Sequence, residues 1–351
     1  MGWSLESVSY RMSGSGSWQH LLPDGDHRRL YAVIYPEGRP LAEIQDRWGS
    51  RLGEWEGASI VRVTQGKAVP LGPIMTDTDL DILGPWFEDT ASAMAEAVRE
   101  REGDFRWLSR ELGGGAGVSS PTMENILTIL VCALTLDSWV FSLLRQAVIG
   151  TYPPRGRAGR FFFWGYAFEK GPQRIFGFTT YGGLKGRRLH MIRSHGLDRE
   201  AIKKALDRGE NWDYLQAVLE RKEILSFDRT ETLPSEARLA ERAVKTLQGV
   251  GLVDGRDPSR LAVPVFGEED QEKISRLCGP VSRTIMGYLT KAFQDFETLL
   301  PRCSFARCSR SDVLCMLFHL AYSYAADRLV EEGVIPDFPR RAGGEWGVWI
   351  S

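Results

Sequence analysis

Hydrophobic residues recur at helical spacing over most of the chain and alternate in only a few short stretches. Ala240, Ala243, Val244, Leu247 and Val250 fall on one helical face, which predicts a helix with a buried stripe. Leu233-Pro234 opens it, Ser235-Glu236 load its first turn with polar groups, and Gly249 and Gly251 end it. Upstream, Asp198 is placed to cap a helix over Arg199–Arg208, and Asn211-Trp212 opens another with Leu215, Val218 and Leu219 inward. The apolar positions after Pro121 (Leu127, Leu130, Val131, Leu134, Leu143, Leu144) predict a core helix, as do Val313, Met316, Leu317, Leu320, Leu329 and Val330 after Ser309. Thr76 with Asp79, and Gly267 with Asp270, sit at helix starts. Long amphipathic helices follow over Trp86–Arg101 and Val281–Leu300.

Alternation predicts the strands. Ile60-Val61-Arg62-Val63, the turn Thr64–Lys67 and Ala68–Leu71 read as a hairpin, preceded by a helix over about Pro40–Trp55. Phe161–Phe168, the turn Glu169–Pro172 and Ile175–Thr180 read as a second hairpin. The stretch Asp104–Gly117, with Gly113-Gly114-Gly115, reads as a flexible linker, because the Gly-Lys-Ser/Thr of a phosphate loop is missing.

The elements repeat in order. Leu5–Tyr10 matches Phe176–Tyr181, and Gln19-His20 matches Leu189-His190. Pro73–Asp79 matches Pro264–Asp270, and Leu83-Gly84-Pro85 matches Cys278-Gly279-Pro280. Each half closes on Arg-Ala-Gly and Trp-Gly, at Arg157-Ala158-Gly159 with Trp164-Gly165 and at Arg341-Ala342-Gly343 with Trp346-Gly347. Self-similarity of this kind predicts a tandem duplication with halves 1–170 and 171–351. The expected fold is α+β and helix-rich: two similar halves, each a winged-helix-like unit followed by long helices, related by pseudo-twofold symmetry.

Composition narrows this little. The 351 residues allow two or three cores, and 43% hydrophobic with 26% charged residues is ordinary for a globular protein. A net charge of -2 gives no bulk attraction to nucleic acid or anionic lipid, so such binding needs a local basic patch. The five cysteines form no Cys-x-x-Cys pair, which predicts reduced, buried thiols rather than zinc or disulfides and a cytoplasmic location. The N-terminus lacks the basic start and apolar run of a signal peptide. Asp137 within Ile126–Leu144 argues for a buried helix and against a membrane span.

Arg238, Arg242 and Lys245 fall at i, i+4 and i+7, on the face opposite the alanine-valine-leucine stripe. Glu236 and Glu241 dilute this patch, and a merely solvated face is the competing reading. Beyond the helix, Gly249-Val250-Gly251-Leu252-Val253, the Asp254-Gly255 turn and Arg260-Leu261-Ala262-Val263 read as a small β-wing. This stretch, about residues 197–266, resembles the winged helix-turn-helix superfamily of bacterial transcription regulators. The resemblance implies sequence-specific binding of double-stranded DNA, with Arg238, Arg242 and Lys245 in the groove and Arg256 and Arg260 on phosphates. A duplicated chain would be a monomeric pseudo-dimer; a homodimer is the other arrangement. The first half is a weaker echo whose candidate cations are Arg47, Arg51, Arg62 and Lys67.

The apolar helices offer a second candidate. Asp137, Trp139, Phe318 and Tyr322 could line a pocket for a small apolar effector, against plain core packing. Catalytic patterns are lacking: the five histidines have no His-x-x-x-His spacing and there is no nucleophile elbow, so no enzyme, metal or cofactor is expected. His319 reads as a satisfied core residue. The rival reading from another class is a ligand- or protein-binding protein that keeps a winged-helix scaffold without contacting DNA.

Overall fold

The computed structural model describes residues 8–16, 18–113, 120–173, 178–184, 187–192, 204–205, 208–219, 234–250, 253, 265–266, 268–337 and 346–349. In order, the named strands and helices are β1 (Ser9–Gly16), α1 (Gly25–Ile34), β2 (Arg39–Pro40), α2 (Leu41–Gly57), β3 (Val61–Thr64), β4 (Lys67–Pro70), β5 (Ile74–Thr76), α3 (Asp77–Arg99), α4 (Glu102–Leu112) and α5 (Ser120–Thr128). A π-helical run, Ile129–Trp139, leads into α6 (Val140–Leu144) and a second π segment, Arg145–Ile149. There follow β6 (Gly159–Ala167), β7 (Phe178–Leu184), β8 (Arg187–Ile192), α7 (Gly209–Leu219), α8 (Pro234–Gly249), β9 (Val265–Phe266), α9 (Glu268–Phe296), α10 (Arg310–Glu331) and β10 (Trp346–Trp349). The class is helix-rich α+β, with three small sheets among the described residues.

Two compact units emerge, each assembled from three stretches of chain. One draws on residues 1–97, 139–175 and 282–328, the other on 98–138, 176–281 and 329–351. Each therefore takes chain from both halves of the sequence.

The first unit contains two sheets. In one, β2, β4 and β3 run antiparallel in the order β2-β4-β3. Gln65 and Gly66 both hold positive φ (50° and 73°), the mirror-image turn whose twist suits a two-residue hairpin. Trp55 on α2 is fully buried and donates its indole N–H to the Leu21 carbonyl at 2.8 Å. The Tyr31 hydroxyl on α1 accepts from the Gly72 amide at 2.8 Å and donates to the Ile60 carbonyl at 3.0 Å. Gly72 has no room for a side chain: a Cβ there would meet the Phe163 ring at 2.6 Å and the Tyr31 hydroxyl at 2.7 Å.

The other sheet has the order β1-β6-β5. β1 pairs antiparallel with β6, placing Tyr10 opposite Gly165; β5 pairs parallel with it, placing Ile74 opposite Gly165. As the middle strand, β6 is covered on both faces, and Phe161, Phe162, Phe163 and Trp164 are all buried. The hairpin expected between Phe161–Phe168 and Ile175–Thr180 does not form. β6 stays with β1 and β5, while β7 pairs with β8 in another sheet. Turn residues signal a local reversal, but the four buried aromatics of β6 gain more from two long-range partners than from one neighbour.

The second unit holds the sheet β7-β8-β10-β9. β10 is antiparallel to β8, placing His190 opposite Gly347, and parallel to β9. His190 thus holds the register position that Tyr10 holds opposite Gly165, and not the position of His20, which lies in a short 3-10 turn. The segment read as a linker, Asp104–Gly117, is largely helix α4, because Phe105, Leu108 and Ser109 give it a buried face. Arg106 fixes α4 by donating to the carbonyls of Gly333 (2.8 Å) and Val334 (3.2 Å).

Pro85 and Pro280 lie inside helices α3 and α9, which start at Asp77 and Glu268, beside the expected caps Thr76 and Gly267. Both prolines follow glycines, and neither ends its helix. The π-helical run has a local partner for a displaced carbonyl: Leu130 accepts the Thr135 hydroxyl at 2.7 Å and the Cys278 thiol at 3.9 Å. Two helical stretches, Met123–Ile149 and Arg310–Glu331, are long and apolar enough to cross a membrane, with mean hydropathy of 2.0 and 1.2; 78% and 83% of those windows are buried inside the protein.

Candidate functional site

The helix expected over residues 235–250 exists as α8, packed against α7 in the second unit. Its stripe is buried at Ala243, Val244 and Leu247, while Glu241, Arg242 and Lys245 are exposed. That division follows from the sequence: apolar residues at i, i+1 and i+4 turn one way and the cations turn the other. Glu241 reaches Lys245 at 3.1 Å, an i,i+4 pair whose side chains are 62% and 74% exposed, so solvent screens it. Arg238 lies on the same helix, one turn before Arg242; its side chain is outside the described residues. Arg256 and Arg260 fall outside the described residues, as do the expected wing apart from Gly249, Val250 and Val253 and the helix expected over Arg199–Arg208 apart from Lys204, Ala205 and Arg208. The Val253 amide lies 3.4 Å from the Leu247 carbonyl.

The first half, read as the weaker echo, has the fuller geometry. Helix α1, strand β2, helix α2 and the hairpin β3–β4 follow one another, and β2 closes the sheet on β4. Its cations divide. Arg51 is bound to Glu54 at 2.7 Å, whereas Arg62 on β3 and Lys67 on β4 are exposed. The Arg47 side chain is outside the described residues. Helix α2 carries Glu43, Asp46, Glu54 and Glu56 against Arg47 and Arg51, so its charge balance is acidic.

A pocket of about 400 Å³ opens in the first unit beside this hairpin, lined among others by Glu56, Ser59, Arg62, Arg155, Arg307 and Cys308. One of its lining residues, Arg155, belongs to a buried ion pair. Arg155, 1% exposed, donates through Nη2 to both Asp312 oxygens at 2.7 and 2.6 Å. Its Nη1 donates to the carbonyls of Ala58 (3.2 Å) and Ser59 (2.8 Å), and its Nε to that of Phe161 (3.0 Å). Every guanidinium nitrogen is thus used. Asp312 also accepts the Phe163 amide at 3.0 Å. Burial raises the Asp312 pKa, against the lowering pull of Arg155, the Phe163 amide and Ser309. Ser59 holds φ at 54°, in the left-handed region. Its carbonyl is tied to Arg155, which supports that conformation. Cys308 stays a thiol: burial pushes its pKa up, and Asp312 and Asp79 push it further.

Sequence reasoning did not find this pocket. Part of the signal was present: Ser309-x-x-Asp312 has the spacing of a capping box, and Arg155 immediately precedes the Gly156-Arg157-Ala158-Gly159 turn. What pattern cannot give is their meeting, since the pair is 157 residues apart.

Phe318 and Tyr322 are fully buried in the first unit, and Phe318 stacks on Phe141 with ring centres 5.3 Å apart. Trp139 is half-buried and Asp137 is buried, in different units. None of the four lines the 400 Å³ pocket. Nearby, His319 is surrounded by Phe141, Trp164 and Phe318. Its Nδ1 lies 2.8 Å from the Cys315 carbonyl, and burial lowers its pKa to about 4. A neutral ring with Nδ1–H donating fits this setting. Among the described residues no three His, Cys, Asp or Glu side chains stand close enough to hold a metal ion.

Compared with family models, curated proteins and solved structures, the chain matches none.

Proposed function

We propose that the chain is a DNA-binding transcription regulator of winged-helix type, working in the cytoplasm without a catalytic step. The observation that carries this reading is the division of α8: Ala243, Val244 and Leu247 are buried, and Arg242 and Lys245 face solvent. A helix that enters the major groove needs its apolar side docked on its own domain and its cations outward. Arg238 extends the cationic row by one turn, and Arg256 and Arg260 would meet phosphates beside it. The helix–strand–helix–hairpin order of residues 25–70 supports the same architecture in the first half.

We also propose that the halves are related by duplication and pseudo-twofold symmetry. In support, the last strand of each half is antiparallel to one partner and parallel to another. The parallel partner leads in both cases into a long helix with an internal proline. One chain would then supply both reading heads of a regulator, as a monomeric pseudo-dimer.

The two heads would not be equal. The acidic balance of α2 opposes a phosphate backbone, which favours a first half that serves as a scaffold for a ligand or protein partner. DNA contact would fall to α8. Titration of labelled genomic fragments by fluorescence anisotropy tests this. Affinity should fall steeply with salt, and Arg238→Ala/Arg242→Ala should weaken it by about tenfold or more and flatten the salt slope. Binding that ignores salt, or ignores this double substitution, would remove DNA from the reading and leave the scaffold role.

A further inference from the structure

We infer that the pocket beside the β3–β4 hairpin binds a small organic monoanion, with its carboxylate on Arg62 and Arg307 and its apolar body against Val61, Leu71 and Pro153. The charges around the wall point to this. Three guanidinium groups line the pocket, from Arg62, Arg155 and Arg307, against one carboxylate, Glu56. Arg155 is neutralised by Asp312 and has no donor left for a guest. Glu56 holds the Val63 amide at 3.1 Å. Arg62 and Arg307 are exposed and make no ion pair among the described residues. Two uncommitted cations against one carboxylate leave a single positive charge to be met.

Shape and polarity complete the case. About 400 Å³ suits a ligand of modest size rather than a macromolecule. Val61, Leu71 and Pro153 give it an apolar side, and Ser59 and Ser309 add polar groups at the wall. Guanidinium is the group best shaped to take a carboxylate through two parallel hydrogen bonds. The wall joins three stretches distant in sequence: the hairpin, the Pro153–Arg155 segment and the Arg307–Ser309 turn before α10. A guest would bridge them, and in a regulator that would make it an effector. Binding itself does not depend on the DNA reading.

Calorimetric titration of the full chain at constant ionic strength, without DNA, tests the proposal. The probes are cyclohexanecarboxylate, its neutral counterpart cyclohexylmethanol, and inorganic phosphate. The expected result is one saturable site for the carboxylate, with the alcohol and phosphate each binding at least about tenfold more weakly. Arg62→Ala/Arg307→Ala should weaken the carboxylate by about tenfold or more, and Arg307→Ala alone by about threefold. Both side chains are exposed, so the fold should persist, which a circular-dichroism melt verifies. No saturable site for the carboxylate, equal binding of the alcohol, tighter binding of phosphate, or indifference to the double substitution would each overturn it.

Discussion

The same side chain does opposite work in two parts of this molecule. Arg155 is sealed in the first unit, where two carboxylate oxygens and three carbonyls take up its nitrogens. Arg242 on α8, and Arg62 and Arg307 at the pocket rim, stand in solvent. The difference is one of desolvation. A guanidinium taken out of water must have each donor met, and once met it locks its surroundings. A guanidinium left in water costs little to keep and retains its charge for a visitor. Arginine count therefore says nothing of role in this protein; the accompanying acceptors decide it.

The largest effect should come from breaking the buried member. Arg155→Ala leaves Asp312 as an uncompensated buried charge and strips the Ala58, Ser59 and Phe161 carbonyls of a donor. A loss of about 3–5 kcal/mol is expected in urea unfolding. Replacing both partners together, Arg155→Met with Asp312→Leu, should cost less than Arg155→Ala alone. If the double variant is the worse of the two, the ion pair is more than self-compensating and the contrast with the surface arginines needs another cause.

A second test uses a buried group that avoids charge altogether. The His319 pKa falls from 6.5 to about 4 in the folded state. Between those values the unfolded chain binds the extra proton and the folded chain does not, so stability is full above about pH 6.5 and is lost as pH falls towards 4. The fall from 6.5 to about 4 corresponds to about 3 kcal/mol across that window. Urea midpoints measured from pH 7 to pH 4 should fall accordingly, and His319→Gln should flatten that part of the profile. An unchanged slope in the variant would assign the acid sensitivity to other groups.

The smallest effect on stability belongs to the exposed set. Arg242→Ala with Lys245→Ala removes one screened pair and no buried contact, so the cost should stay within about 0.5 kcal/mol. A much larger loss in the thermal melt would mean that α8 uses these cations for cohesion, and the division between buried and exposed charge would fail.

How far these roles could be read beforehand depended on distance along the chain. The β3–β4 hairpin was legible because alternation and a Gln65-Gly66 turn are local. So was the α8 stripe, whose Ala243, Val244 and Leu247 repeat within two turns. The partners of β6 were not, because a turn-rich segment after Phe168 resembles a hairpin loop and nothing in it names β1. Helix α4 was hidden by the glycines that follow it, although Phe105 and Leu108 already had helical spacing. The pocket was invisible for the same reason as the Arg155–Asp312 pair: its wall is assembled from segments that no short window contains. Of the cations proposed for DNA contact, Arg242 and Lys245 were legible as neighbours on one face, since helical geometry fixes them relative to one another.

The placement of β6 has a consequence for synthesis. Its antiparallel companion is made well before it, and the Asp312 that ties the Phe163 amide is made well after it. On the ribosome, β1 must wait for most of the first half to emerge before it finds its neighbour, and the strand they form stays unclamped until α10 has left the exit tunnel. Four adjacent aromatics would spend that interval without their final cover, which makes this stretch a natural client for a chaperone that holds nascent apolar segments.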